Sequence, residues 1–479
     1  MHNKYHYEGP LPLGSVVAHN CAGAGLFVAT HGEEVAWRLT GSEENGFYTL
    51  CIVGPNQQTK RFSSEATAEG RRIIGRDVLY YLREAQGFIR VGKWGSLVGV
   101  RPTKLFHKLW DETGKAGVAA QILRDRYDIS LEKLSILQSI TELQRPWVAV
   151  DEESDRRISV YGGIPFCESH CTYCSFPFGL VQQYNRLDEF VQAFVQDASQ
   201  LAALQREFNL SVDSLYMGGG TPTSLNHEAF EKVVEALAML RMEGKEFTVE
   251  AGRPDSVTPE KIDTMLRHGV NRMSINPQSM QDHILKAVGR AHTAGAVVDL
   301  YDYVREHTSL AINMDFIAGL PQQTMSDMQE NMKFICRTMP ENVTIHTLAL
   351  KKGSPLYDMR ETALLPEEGQ VEEMVSYAGE YLRKIGYVPY YLYRQKYMTG
   401  QMENIGYTLP GYACEYNIRI MEERQTIVAV GPGSSSKWMR APEFRQLQLH
   451  TPKDVSVYID TLDTLLAKRR ERCEQFWEA

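Results

Sequence analysis

Cys167, Cys171 and Cys174 stand together in YGGIPFCESHCTYCSF, and thiolates so spaced are ligands for an iron–sulfur cluster or for zinc. A structural zinc site usually takes four protein ligands, often as two separated pairs. Here three thiols share one loop, and the only other donor nearby, His170, reads as a loop residue. Ser175 stands where a fourth cysteine could have stood, and a serine hydroxyl is a poor iron ligand. The spacing therefore favours a 4Fe-4S cluster with one iron left open to a small molecule. The other cysteines, Cys21, Cys51, Cys336, Cys414 and Cys473, are scattered. They form no disulfide framework of a secreted protein and read as small buried apolar side chains.

Further polar residues recur downstream. Met217 runs into Gly218-Gly219-Gly220-Thr221-Pro222, where glycines let backbone groups approach a ligand, although a plain tight turn would use them too. Glu250 could hold an amino or ribose group, or be a solvated edge residue. Gln278 and Arg290 follow, and Asp315 lies inside the apolar run INMDFI, where an unpaired charge is costly. A purely structural ion pair would also account for Arg290 and Asp315.

These residues need elements to place them. From Arg157 onward, apolar strand-like runs alternate with amphipathic helices. The expected strands are 158–161, 214–217, 247–250, 272–276, 310–317 and 343–348. The expected helices lie near 187–206, 227–242, 259–268, 295–307, 324–338 and 366–385. In the first helix Leu187, Phe190, Val191, Phe194 and Val195 form one apolar face. Such alternation implies an α/β fold, a parallel sheet covered by helices, open or closed as a barrel. Chemistry in these folds gathers at the carboxyl ends of strands, and the cysteine loop, the glycine turn, Glu250 and Gln278 all fall there.

Outside that repeat, residues 1–62 alternate short apolar runs with Gly, Asn and Pro turns and read as a small β-rich or α+β domain. Residues 63–150 read as helical, with Ile73, Ile74, Val78, Leu79 and Leu82 in one stripe. The barrel is expected over 151–387, followed by a C-terminal subdomain over 388–479 with a strand at TIVAV and a final helix near 453–476. A chain of 479 residues is too long for one core. Its hydrophobic share of 43% and charged share of 23% are ordinary for globular proteins, and the net charge of −9 argues against a nucleic-acid or anionic-membrane coat. No run is apolar enough for a membrane span, and the start lacks a signal-peptide layout, so the expected location is cytoplasmic.

The motifs IPFCxxxCxYC, GGGTPT, SINPQS…VGRAHT and MDFIAGLP together resemble the oxygen-independent coproporphyrinogen III oxidase (HemN-like) branch of radical S-adenosylmethionine enzymes. GVRPTKLFHKL and YYLYRQKYM…ENIGY look most like its HemZ subgroup, and the resemblance spans about 85 to 440. It implies a partial (β/α) radical SAM barrel, with an N-terminal α+β region and a C-terminal extension. It implies cluster ligation by Cys167, Cys171 and Cys174, and S-adenosylmethionine chelating the open iron. The reduced cluster would then cleave it to a 5′-deoxyadenosyl radical that abstracts a substrate hydrogen. By the same resemblance Tyr161, Gly219, Gly220, Thr221, Glu250, Gln278, Arg290 and Asp315 would contact S-adenosylmethionine. Tyr173 and Ala349 match positions that touch a second S-adenosylmethionine.

The oxidases carry a further cysteine just after the loop, where this chain has Ser175 and Phe176, and their usual GVQ is here NPQ, Asn276 to Gln278. The CSF ending is closer to the related haem-chaperone branch. The implied reaction is oxidative decarboxylation of coproporphyrinogen III to protoporphyrinogen IX, with an unidentified electron donor. Arg394, Lys396 and Lys437 could meet the substrate carboxylates, or be ordinary solvated charges. The alternatives are haem binding or delivery, and radical chemistry on another tetrapyrrole. Anaerobic reconstitution is expected to load about four irons per chain. Replacing Cys171 with Ala should abolish loading, and full iron stoichiometry in that variant would refute the assignment.

Overall fold

The computed structural model describes residues 4–30, 32–89, 91–99, 101–176, 179–395, 402–442 and 444–478, and the counts below refer to these. The chain divides into two compact units, 1–141 with 393–403, and 142–392 with 404–479.

The first unit contains β1 (Lys4–Glu8), β2 (Phe27–Val28), β3 (Trp37–Glu44), β4 (Phe47–Val53) and β5 (Thr59–Glu65), in sheet order β2-β1-β3-β4-β5. Its helices are α1 (Leu11–Gly23), α2 (Ala68–Ala85), α3 (Pro102–Thr113) and α4 (Ala116–Tyr127). The boundary expected at 62/63 falls inside β5. Ile74, Val78, Leu79 and Leu82 of α2 share one core with Leu39, Leu50 and Ile52 of the sheet. The helical stripe read from the sequence is therefore the cover of that sheet. Of the stripe, Ile73 alone is only half-buried.

Helix α5 (Leu131–Val148) contains the division at 141/142. After it come β6 (Arg157–Ile164), the short pair β7 (Phe166–Cys167) and β8 (Gly179–Leu180), then α6 (Leu187–Glu207), β9 (Ser211–Gly219), α7 (His227–Ala238), β10 (Glu246–Val249), α8 (Pro259–Arg267) and β11 (Arg272–Ser274). The repeat continues with α9 (Asp282–Ala287), α10 (Ala294–His307), β12 (Ala311–Ala318), α11 (Met325–Thr338), β13 (Asn342–Thr347), α12 (Pro355–Asp358) and α13 (Glu368–Lys384). Strands β6, β9, β10, β11, β12 and β13 lie side by side and parallel, the partial barrel that the alternation predicts. Of the expected face of α6, Phe190 and Phe194 are fully buried and Val191 nearly so, while Leu187 and Val195 are half-buried.

The last part of the chain is not a separate layer. It supplies β14 (Val388–Tyr393), β15 (Asn404–Thr408), α14 (Glu415–Glu422), β16 (Thr426–Val430), β17 (Ser435–Arg440), β18 (Arg445–His450), α15 (Val455–Asp460) and α16 (Leu462–Trp477). The sheet reads β14-β15-β13-β12-β11-β10-β9-β6-β16-β17-β18. TIVAV is thus β16, and it pairs parallel with β6 from Thr426–Ile158 to Val430–Gly162. The stretch expected as a C-terminal extension or subdomain continues the barrel sheet at both edges, where β13 and β6 would otherwise present unpaired backbone groups. The single final helix expected near 453–476 is two helices, broken at Thr461.

A buried ion pair fastens this end down. Arg469 of α16 meets Asp197 of α6 at 2.5 Å, both side chains fully buried. Asp197 also accepts hydrogen bonds from Gly431 N (2.9 Å) and the Tyr458 hydroxyl (2.6 Å). Replacing Asp197 with Ala strands the Arg469 charge and is expected to cost about 3–5 kcal/mol, read as a fall in the urea midpoint.

Candidate functional site

The cysteine loop leaves the end of β6 and is held from three sides. Arg253, beyond β10, donates to the Ser169 hydroxyl (2.7 Å) and carbonyl (3.2 Å), and pairs with Asp255 at 3.0 Å. Thr172 N donates to Val288 O at 3.0 Å, and Leu356 N donates to Thr172 O at 2.8 Å. Tyr173 packs against the apolar cluster of Ile284, Val288, Ile317, Leu320, Leu348 and Leu356. The three thiols are therefore placed by the segments after β10, α9 and β13.

One cavity collects most of the expected residues. It is lined by Cys167, Cys171, Cys174, Tyr173, Gly219, Gly220, Thr221, Glu250, Gln278 and Arg290, together with Ser169, Gly252, Arg253 and Asn276. Arg290 is its hub. The guanidinium donates to Gly252 O (3.1 Å), Asn276 O (2.6 Å) and the Tyr173 hydroxyl (3.0 Å), and lies 3.8 Å from Cys171 Sγ. Burial works against its charge, but Tyr173 and Cys171 hold it above its ordinary pKa. Burial also pushes the Cys167 thiol up to about 11, partly countered by Thr221 Oγ1 at 3.5 Å, and raises Cys174 as well.

The glycine turn is a cradle rather than a plain turn. A Cβ on Gly220 would stand 2.3 Å from Phe166 O, and Gly219 sits at φ +110°. Gln278 adopts φ +68° although it is not glycine, a strained backbone held by its N–H to Asp315 O (2.9 Å) and its carbonyl to Ile317 N (3.0 Å). Its side-chain Oε1 and the Oδ1 of Asn276 are buried with no hydrogen-bond partner. Two unmet acceptors at a cavity rim fit a ligand that brings donors.

Three expected contacts lie outside this lining. Tyr161 on β6 is stacked with Tyr216 and Tyr416, at centroid distances of 6.3 and 6.1 Å. Asp315 on β12 accepts from Asn313 Nδ2 at 2.9 Å and lies 3.6 Å from His346 Nε2. Burial opposes its charge, yet bonds with His346, Asn313 and Thr344 keep its carboxyl below the usual range. Ala349 is buried just beyond β13. Glu250 links the two groups: burial pushes its pKa up to about 7, Asp315 adds to the rise, and the Tyr216 hydroxyl and Gly219 N–H oppose it.

Two of the three suggested substrate cations are engaged elsewhere. Arg394 is buried, donates to Leu97 O, and lies 5.1 Å over the Trp94 ring. Lys437 pairs with Glu423. Lys396 lies outside the described residues. Of the scattered cysteines, Cys21, Cys414 and Cys473 are buried as expected, Cys51 is intermediate, and Cys336 is exposed. Arg253, Asn276, Tyr216 and Tyr416 were not singled out as ligand contacts from sequence. Arg253 and Asn276 follow strand ends and Tyr216 precedes the glycine turn, so position could have found them. Tyr416 carries no such signal.

The comparisons agree with this geometry. Residues 162–335 match the family model of the Radical SAM superfamily. The chain is 36% identical over 430 residues to the oxygen-independent coproporphyrinogen-III oxidase-like protein HemZ of Bacillus subtilis (strain 168), covering 88% of this chain and 86% of that one. It is 30% identical over 220 residues to the heme chaperone HemW of the same organism, covering 45% of this chain and 57% of that one. Among solved structures, coproporphyrinogen III oxidase (HemN) from Escherichia coli, described as a radical SAM enzyme, aligns with a TM-score of 0.52 at 20% identity. That alignment covers 71% of this chain and 82% of that one, and it speaks to the fold alone.

The cysteine loop and the parallel half-barrel are those of a radical SAM enzyme, a class whose cofactors are a 4Fe-4S cluster and S-adenosylmethionine. Within that class the chain belongs to the family of oxygen-independent coproporphyrinogen-III oxidase-like proteins. Among the described residues no three His, Cys, Asp or Glu side chains converge on one ion position, and a cluster, which takes one thiolate per iron, does not ask for that. Nor is any described helix long and apolar enough to cross a membrane.

Substituting Gly220 with Ala drives a Cβ into the Phe166 carbonyl and is expected to cost about 1–3 kcal/mol. Gly117→Ala in α4, where a Cβ meets nothing within 4 Å, should be neutral or slightly stabilising in the same thermal melts.

Proposed function

We propose that this chain converts coproporphyrinogen III to protoporphyrinogen IX by oxidative decarboxylation of two propionate side chains to vinyl groups. The observation that carries the reading is the single cavity joining the three thiols to Thr221, Glu250, Gln278 and Arg290 at strand ends, in a chain of this family. A tetrapyrrole substrate, an electron donor of unidentified nature and a cytoplasmic location belong to the same reading.

In it, Cys167, Cys171 and Cys174 hold three irons. Tyr161, Gly219, Gly220, Thr221, Glu250, Gln278, Arg290 and Asp315 hold S-adenosylmethionine, and Tyr173 and Ala349 border a second molecule of it. When bound, the two cofactors supply a radical able to take a hydrogen atom from unactivated carbon. The protein's own part is placement and exclusion. Arg290 lies 3.8 Å from Cys171 Sγ and anchors the cysteine loop through the Tyr173 hydroxyl. The glycine turn, its Gly220 and Thr221 amides tied to Ile164 O and Phe166 O, lets the backbone approach the cofactor without a side chain, while Glu250 and Asp315 offer carboxylates suited to a cationic, hydroxyl-bearing cofactor. The unmet oxygens of Gln278 and Asn276 would accept its N–H or O–H groups.

A second reading, haem binding or delivery, is favoured by Ser175 and Phe176 after the loop, with Phe176 65% exposed. The likeness to the heme chaperone supports it too. An anaerobic assay with reductant, S-adenosylmethionine and coproporphyrinogen III separates the two. Protoporphyrinogen and carbon dioxide are expected; no product from cluster-loaded protein, with a haem absorption band on titration, would select the second. Hydrogen-abstraction products from a different tetrapyrrole alone would redirect the first.

A further inference from the structure

Tyr216 has a role that no expected contact covers. Its hydroxyl, on β9, donates a hydrogen bond to Glu250 Oε1. Its ring lies 4.4 Å from that of Tyr416 with 20° between the planes, and 6.3 Å from Tyr161 with 17°. Tyr416 is itself fixed. It opens α14, where Glu415 N and Tyr416 N donate to the Glu246 carboxylate at 2.8 and 3.1 Å. Glu246 begins the strand β10 whose end leads to Glu250. One strand thus carries the carboxylate and, through its first residue, anchors the ring that backs the carboxylate's partner.

We propose that Tyr216, braced by Tyr416, is a positioning residue for Glu250, turning its carboxylate into the cavity to meet the cationic end of S-adenosylmethionine. The proposal rests on Glu250 contacting that cofactor. Free rotation would let the carboxylate fall back toward Gly218, where its Oε2 already lies 2.7 Å from the place of an added Cβ. A phenol donor also favours the charged form of the acid it serves. The groups facing Glu250 are Tyr161 from β6, Tyr216 and the Gly219 amide from β9, Asp315 from β12, His346 from β13 and Tyr416 from α14. Asp315 and burial favour the neutral acid, while Tyr216, Gly219 and His346 favour the carboxylate. Tyr216 is a contact that substitution can remove while keeping its ring.

The test is the dissociation constant of S-adenosylmethionine from anaerobic, cluster-loaded protein, followed by calorimetry between pH 6 and 9. Wild-type affinity is expected to strengthen as pH rises through about 7, where Glu250 ionises. Tyr216→Phe keeps the ring stack and should move that midpoint up by about one pH unit, weakening binding about fivefold at pH 7 and approaching tenfold toward pH 6. Tyr416→Leu should shift it the same way by less, with iron content unchanged in both. An unmoved midpoint in Tyr216→Phe overturns the proposal, as does a loss of affinity equal at every pH, the mark of a merely structural defect. Glu250→Gln separates the two levels. If it keeps wild-type affinity and pH profile, the reading of Glu250 as a contact fails. If it weakens binding and loses the pH step while Tyr216→Phe changes nothing, only the role of Tyr216 fails.

Discussion

Arg290 carries a positive charge where almost no solvent reaches, and everything around the cavity answers to that charge. A buried guanidinium is tolerated only when its donors are met. Here the two terminal nitrogens reach the carbonyls of Gly252 and Asn276, the Tyr173 phenol and the neighbourhood of Cys171 Sγ, while Nε is buried with no hydrogen-bond partner among the described residues. These partners come from the segments after β10 and β11 and from the cysteine loop. One side chain therefore ties two strand-end turns to the loop that carries the thiols. Loss of any one of these partners would weaken the hold on the terminal nitrogens, so the loop and the turns hold their positions together.

The thiols show the converse effect. Burial pushes Cys167 up to about 11 and raises Cys174 as well, favouring the protonated thiols. Iron binding must displace those protons, since the thiolate is the ligand. Assembly of the proposed centre would thereby be coupled to pH, and Thr221 offsets part of the cost at Cys167.

Much of the barrel was legible because parallel strands buried on both faces read as apolar runs, and each crossover helix shows one apolar face. The cysteine loop and glycine turn were legible because residue type and spacing carry their chemistry locally. Other features depend on partners distant in sequence. Nothing in TIVAV says that it will lie beside Ile158–Gly162, and nothing around Tyr416 says that its ring will meet Tyr216. Arg394 reads from sequence as a partner for substrate carboxylates or a solvated charge, yet it is buried over the Trp94 ring, far away in sequence. The helical stripe of α2 gave its own face but not the sheet it covers. Asn276 was visible as a departure from the usual motif, but its unmet oxygen emerges only from packing.

The pairing of β6 with β16 also bears on how the chain acquires its shape. The strand that leads into the cysteine loop has β9 on one side, available early, and on the other a neighbour near residue 428. During synthesis from the N-terminus, that flank stays open until most of the chain has emerged. Contacts of such sequence separation form slowly, because a long loop must close before they are rewarded. The β6–β16 edge is thus a late product of folding, and an iron supply that arrives before Thr426–Val430 would meet cysteines beside an unpaired edge.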